Sequence, residues 1–292
     1  IMVYYDYLLK GCDGMLTTSL FLVYLGSTAL GIYFFDFRAD SLINNPLVII
    51  LSILAGLVIV FLYIILFLES TYFLIAKRTE TTSRLKHYFG KQIVSVPMHL
   101  FRVKTTVYGM ENLPEDTKFL IYSNHTSELD ISVLMCHLPQ YPVAFLAKQA
   151  VNSYLSIGKW AQSIGCVMLN RDNNRQGNQA VLQVVENVQK GSTMVIFPEG
   201  KVSRDIGALQ KFRSGSFKIA LASEVPLVPV SLVKEASYNQ KRWPRRKRLD
   251  IVIHPPLSYS TFQELSSRQL GLKVRDIIAS KLNIIEQTKK TN

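Results

Sequence analysis

Cysteine is scarce in this 292-residue chain, and its placement excludes several chemistries. Cys12, Cys136 and Cys166 are odd in number and widely scattered, so they make no disulfide framework and suggest reduced thiols. No CxxC pair and no histidine at zinc-ligand spacing accompanies them, so no metal site is expected. A GxSxG nucleophile elbow is missing too, and no cysteine stands in a nucleophile context. Internal repeats and low-complexity segments are absent.

Charge is nearly missing from the first part of the chain. Residues 1–76 hold only Lys10 and Arg38 as bases, against five acids. Two stretches there carry no charge at all, Gly14–Phe35 and Leu47–Leu68, each 22 residues long. A membrane-spanning helix needs about 20 apolar residues. The start lacks the basic n-region and small-residue end of a cleaved signal. Lys77, Arg78, Arg84, Lys86 and Lys91 follow the second stretch, whereas the link between the stretches holds one Arg and two Asp. The positive-inside rule then predicts a helical hairpin with both ends in the cytoplasm. The expected organisation is a membrane hairpin over 1–76, a basic, amphipathic linker over 77–102 and a cytoplasmic domain over 103–292. The expected location is an integral membrane protein with its body on the cytoplasmic face, at the cell membrane if the source is bacterial.

What the remainder does hold is positive charge, 31 bases against 16 acids over residues 77–292. A basic body behind an apolar head suits work beside an anionic surface. From about Val103 short β-rich runs alternate with helix-like stretches. The runs are VKTTVYG, KFLIYSN, VAFLAKQ, CVMLNR, TMVIFPEG, LVPVSLV and LDIVIHP. Helices are expected over 127–138, 153–164, 177–190, 217–222 and 261–287. This alternation predicts an α/β domain, a mostly parallel sheet covered by helices on both faces. Ligands in such sheets sit beyond the carboxyl ends of the strands. Those ends read SNHTSELD, AKQ, NRD and FPEGKVSR, all polar.

On one continuous helix residues five apart lie about 140° away from each other. His125 and Asp130 can therefore meet only if His125 sits in the turn before the helix. Ser127 is a good N-cap and Asp130 falls at the capping-box position three residues later. Two readings stand side by side. In one, Asp130 caps a helix and His125 is incidental. In the other the two form a dyad, with Asp130 fixing the imidazole tautomer and the free ring nitrogen taking a proton from a substrate hydroxyl. A dyad without its own nucleophile activates one that the substrate brings. At the other strand ends Lys148, Arg171, Lys201 and Arg204 could converge on a phosphate. Glu199 could order those bases or bind a hydroxyl, and Gly200 permits a tight turn. The segment 241–248, KRWPRRKR, has six bases in eight residues. It is read as a solvated loop or a contact to membrane phosphates. Nucleic acid is not expected, since the aromatic-interleaved pattern of single-strand binders is missing.

Taken together, these motifs resemble those of the 1-acylglycerol-3-phosphate acyltransferase family, the NHxxxxD glycerophospholipid acyltransferases. NHTSELD (Asn124–Asp130), GCVMLNRD (Gly165–Asp172), FPEGKVSRD (from Phe197) and VPLVPV (Val225–Val230) follow in the family's order. FRSGSFKIA (Phe212–Ala220) also resembles the run between the third and fourth blocks. The likeness covers roughly residues 100–260. The resemblance implies direct acyl transfer with His125 as general base and Asp130 as its orienting partner. It implies a donor that is acyl-CoA, acyl carrier protein or an acyl phosphate, a lysophosphatidic acid acceptor, and no further cofactor. Asn124, Lys148, Arg171, Glu199, Gly200, Lys201 and Arg204 become the expected substrate-binding residues. One departure stands out. Where the family usually has Thr-Arg after Glu-Gly, this chain has Lys201-Val202, which also resembles the tafazzin branch. Glycerol-3-phosphate, another lysophospholipid, transacylation between phospholipids and a non-catalytic lipid-binding role are the alternatives.

Overall fold

The structure is a computed structural model that describes residues 14–38, 46–170, 174–203, 209–235 and 237–290. Two apolar helices come first, α1 (Met15–Arg38) and α2 (Pro46–Thr71). A π-helical turn, Tyr72–Ala76, follows α2. The two helices pack against each other where side chains are small. A Cβ on Gly56 would lie 2.5 Å from Thr28 Oγ1, so only glycine allows this approach. The outer faces stay bare, with Leu54, Val58, Phe61 and Leu62 among the exposed residues. Only 11% of each candidate span is buried, unlike a core helix. By length and composition both helices could cross a membrane.

The segment 77–102 holds a helix, α3 (Arg84–Leu100), that packs on the body. Two of the bases read as membrane-flanking charges are buried there. Lys86 Nζ donates to the Thr79 and Ser163 carbonyls, and Lys91 Nζ to the Pro139 carbonyl at 2.5 Å. Backbone carbonyls are the partners a buried ammonium needs. They hold α3 onto the domain.

The α/β body continues with β1 (Val103–Lys104), β2 (Val107–Tyr108), β3 (Leu120–Ser123), α4 (Asp130–His137), β4 (Val143–Lys148), α5 (Leu155–Ser163), β5 (Val167–Leu169), α6 (Asn174–Gln189), β6 (Thr193–Ile196), α7 (Lys218–Ser223), β7 (Leu227–Lys234), β8 (Lys247–Ile253) and α8 (Ser267–Lys290). The strand order is β1-β8-β7-β3-β6-β4-β5, with β2 also on β8. Neighbours β7, β3, β6, β4 and β5 run parallel, and only the β7–β8 pair is antiparallel. This bears out the expected mostly parallel α/β sheet. The first expected run splits into two short strands. β3, β6 and β7 are buried at every position, as strands covered on both faces must be. Cys166 is a buried free thiol.

The apolar helices leave the body in a definite direction. Trp160 Nε1 donates to the Leu68 carbonyl at 3.0 Å, and Ser156 Oγ donates to Glu69. Farther along, the Thr79 carbonyl meets Lys86 beside Ser163. The end of α2 and the turn after it therefore descend alongside α5, from the carboxyl ends of the strands toward their amino ends. The apolar length of α2 before Leu68 projects beyond the carboxyl edge, where ligands of such sheets bind.

Candidate active site

β3 ends at Ser123, and residues 124–129 form the turn before α4. Asp130 opens that helix and is fully buried. Its Oδ2 accepts from the His125 imidazole Nδ1 at 2.9 Å and from the Thr126 and Ser127 backbone N–H groups at 2.5 and 2.9 Å. Its Oδ1 accepts from Thr126 Oγ1 at 3.1 Å. One carboxylate thus makes both the cap contact and the His125 contact. Asp130 reaches back to the Ser127 N–H as a capping-box acid does, and the Ser127 hydroxyl accepts from the Leu129 N–H at 3.2 Å. The same turn folds His125 over the carboxylate. A carboxylate only accepts hydrogen bonds, so Nδ1 must carry the proton and Nε2 of the neutral ring is bare. Among the described residues nothing bonds Nε2, and 13% of the His125 side chain is exposed.

The third block clamps this turn from the end of β6. Glu199 is 3% exposed; Oε1 accepts from the His125 backbone N–H at 2.9 Å and Oε2 from the Gln210 N–H at 3.0 Å. Burial pushes its carboxyl above the usual range, and those two N–H donors oppose the shift. The Ser203 N–H returns to the His125 carbonyl at 2.7 Å. Phe197 stacks on the imidazole, ring centroids 4.1 Å apart and planes 15° apart. From β7, Lys234 Nζ donates to the Thr126 carbonyl, while its ammonium lies 4.8 Å from the Tyr238 ring centre. Burial lowers the Lys234 pKa, against the pull of Asp130.

Phe197 also walls a cavity of about 540 Å³ at the carboxyl ends of β4, β5 and β6. Leu146, Leu169 and Ile196 make an apolar floor; Asn170, Asn178, Arg213, Ser216 and Lys218 bring polar groups to it. Gly200, with φ +75°, takes the left-handed turn expected of it and lines the cavity. The dyad therefore stands one aromatic ring away from a chamber that is apolar below and cationic on one side.

The other expected residues fall into three groups. Asn124 is 2% exposed, and its amide bonds the Leu232 N–H and carbonyl of β7 at 2.8 and 2.9 Å, so it splices the turn onto the sheet. Lys148 and Lys201 are exposed at strand ends. Arg171 and Arg204 lie outside the described residues. Reading the strand ends misses Arg213 and Lys218, although FRSGSFKIA contains both. It also misses Lys234, which ends β7 and which the strand-end rule could have found.

Residues 104–233 match the family model described as Acyltransferase. Among curated proteins, the chloroplastic 1-acyl-sn-glycerol-3-phosphate acyltransferase of Brassica napus is 32% identical over 207 residues, 69% of this chain and 57% of that protein. The chain thus spans little over half the length of that relative. The 1-acyl-sn-glycerol-3-phosphate acyltransferase of Borreliella burgdorferi is 25% identical over 70% of this chain and 81% of its own. Among solved structures, the 1-acyl-sn-glycerophosphate acyltransferase PlsC of Thermotoga maritima superposes with a TM-score of 0.58 at 23% identity, covering 77% of this chain and 95% of that one. The fold is therefore PlsC-like.

Proposed function

We propose that the chain is a membrane-bound acyltransferase that moves a fatty acyl group from a thioester donor to the free hydroxyl of 1-acylglycerol-3-phosphate, giving phosphatidic acid. The observation that carries this reading is the Nδ1–Oδ2 contact of 2.9 Å between His125 and Asp130, in a turn whose Nε2 has no protein nucleophile to serve. The acceptor hydroxyl gives its proton to Nε2 as its oxygen attacks the thioester carbonyl. A new C–O bond forms, the C–S bond breaks, and the departing thiolate takes the proton back from the imidazolium. No acyl-enzyme is needed.

Arg213 and Lys218, together with Lys201, Arg171 and Arg204, are the cations proposed to hold the acceptor phosphate. The apolar cavity floor accepts the start of an acyl chain. Acyl-CoA or acyl carrier protein would serve as the thioester donor; from an acyl phosphate the bond broken would instead be C–O and the leaving group phosphate. The hairpin within 1–76 anchors the protein, and the body faces the cytoplasm. Because α2 projects past the carboxyl edge of the sheet, His125 faces the leaflet in which the acceptor lies. The names of the relatives and the basic balance of the body support the same reading.

Mass spectrometry of products from purified full chain, offered mixed acyl thioesters and a panel of acceptors, tests it. Phosphatidic acid from lysophosphatidic acid is the expected dominant product. Indifference to the acceptor's phosphate monoester would overturn the choice of acceptor, and Val202 is the residue that makes this comparison worth running.

A further inference from the structure

The segment joining β7 to β8 plays no part in the chemistry above, yet it stands on the same edge of the sheet. β7 ends at Lys234, whose ammonium holds the turn containing His125. β8 begins at Lys247, whose backbone N–H donates at 3.3 Å to the Arg102 carbonyl just past the end of α3. Three of the six bases here are spoken for. Lys241 pairs with both Glu235 oxygens at 2.7 Å, Arg248 pairs with Asp250 at 3.1 Å, and Lys247 lies 5.1 Å from the Tyr238 ring centre. Arg242, Arg245 and Arg246 are exposed, and their guanidinium groups have no partner among the described residues. Trp243, between them in sequence, is 69% exposed. Leu100 and Phe101, at the end of α3 that the hairpin grips, are 58% and 44% exposed, and Arg102 beside them is exposed as well.

Guanidinium forks with a bare indole and two bare apolar side chains are a poor surface for water. They suit the boundary of a bilayer, where Trp rests at the headgroup level and Arg pairs with lipid phosphate. The apolar helices leave the body from this same carboxyl edge, so a membrane holding them faces the hairpin. We infer that the β7–β8 hairpin, with the end of α3, is a second membrane contact that binds anionic phospholipid headgroups through Arg242, Arg245 and Arg246 and seats Trp243 in the interface. This rests on the membrane anchoring in the proposed function and not on the acyl-transfer chemistry. The nearby surface that accepts the headgroups would set how the body stands over the leaflet and keep His125 turned toward it.

Trp243 and Trp160 are the only two tryptophans, and Trp160 is buried at 3% exposure. The emission of full-length protein minus that of Trp243→Phe therefore reports position 243. The protein is placed in nanodiscs of phosphatidylcholine, or of phosphatidylcholine mixed with phosphatidylglycerol, each with and without brominated chains. Difference emission that shifts to the blue and is quenched by brominated lipid in the phosphatidylglycerol discs is the expected result. Arg242→Gln/Arg245→Gln/Arg246→Gln should lower that quenching several-fold, and added salt should do the same in wild type. Emission typical of an indole in water, equal in both lipid mixtures, would overturn the inference. A response to an oligonucleotide with none to phosphatidylglycerol would also overturn it. Acyl transfer is measured on the same discs. Quenching without turnover would leave this contact standing and sink the proposed activity, while turnover without quenching would do the reverse.

Discussion

Two regions of the molecule each hold a histidine just ahead of or inside the first turn of a helix, and they treat it in opposite ways. At the start of α4, His125 gives Nδ1 to a carboxylate and keeps Nε2 bare beside a cavity wall. At the start of α3, His87 is 2% exposed, its Nε2 bonds the Thr81 carbonyl at 2.9 Å, and Nδ1 is buried with no partner among the described residues. Burial, with Lys91 and Lys86 nearby, pushes its pKa down to about 4, against the pull of the Thr81 carbonyl. One imidazole is neutral because the fold denies its charge any room. The other has a carboxylate to stabilise a proton taken up on the far nitrogen. The difference lies in the partner on the bonded nitrogen and in access to the other one, the two features that the proposed general base requires.

Replacing the two residues of the first region should have the largest effect. His125→Ala, and Asp130→Asn, are each expected to lower kcat by about 10²–10⁴-fold. Circular dichroism and thermal unfolding should show that His125→Ala is still folded. Turnover near that of wild type in either variant would erase the distinction between the regions. A smaller effect is expected at the clamp. Glu199→Gln keeps one acceptor oxygen and sets an NH₂ against a backbone N–H, so stability should fall by about 1–3 kcal/mol. Its kcat should fall with the displaced turn while KM for the acceptor changes little. A large rise in KM alone would mean that Glu199 binds the acceptor directly.

The smallest effect on activity belongs to the second region. His87→Phe should leave kcat near its wild-type value at neutral pH and alter only the acid response. In wild type the unfolded imidazole takes up a proton below about 6.5, while the folded one does so only near 4. Stability is therefore lost as pH falls from about 6.5 through 4, by on the order of 3 kcal/mol from this group. Thermal unfolding across that window should be flatter in the variant. An unchanged slope would show that His87 is not the group responsible.

The comparison also shows what a sequence can carry. The alternation of strands and helices was legible because buried parallel strands are apolar at every position and the helices between them are not. The spacing of a cap residue and an acid fixed where the helix must begin but left two readings of His125 open, and the order of the four resembling blocks is what favoured the dyad. The roles of Asn124 and Glu199 were not. Both are polar residues at strand ends, and only the third dimension shows that their hydrogen bonds go to the backbone of β7 and to the His125 turn. Lys86 and Lys91 misled in the same way. A base after an apolar stretch reads as a membrane flank, yet both ammonium groups turn inward, Lys86 onto the Thr79 and Ser163 carbonyls and Lys91 onto that of Pro139. Arg213 and Lys218 line the cavity from either side of the short turn before α7, a placement that no local periodicity encodes.

The central claim is that Asp130 holds His125 with its proton on Nδ1 and leaves Nε2 to receive one from the lipid. The chain has five histidines, so nitrogen NMR of histidine-labelled protein in nanodiscs, with the His125 signals assigned by their loss in His125→Ala, reads the tautomer directly. The neutral ring is expected to show a protonated Nδ1 and a bare Nε2, converting to the opposite tautomer or to a mixture in Asp130→Asn. A wild-type ring with its proton on Nε2 would have nothing with which to accept the acceptor's proton, and the account would fail.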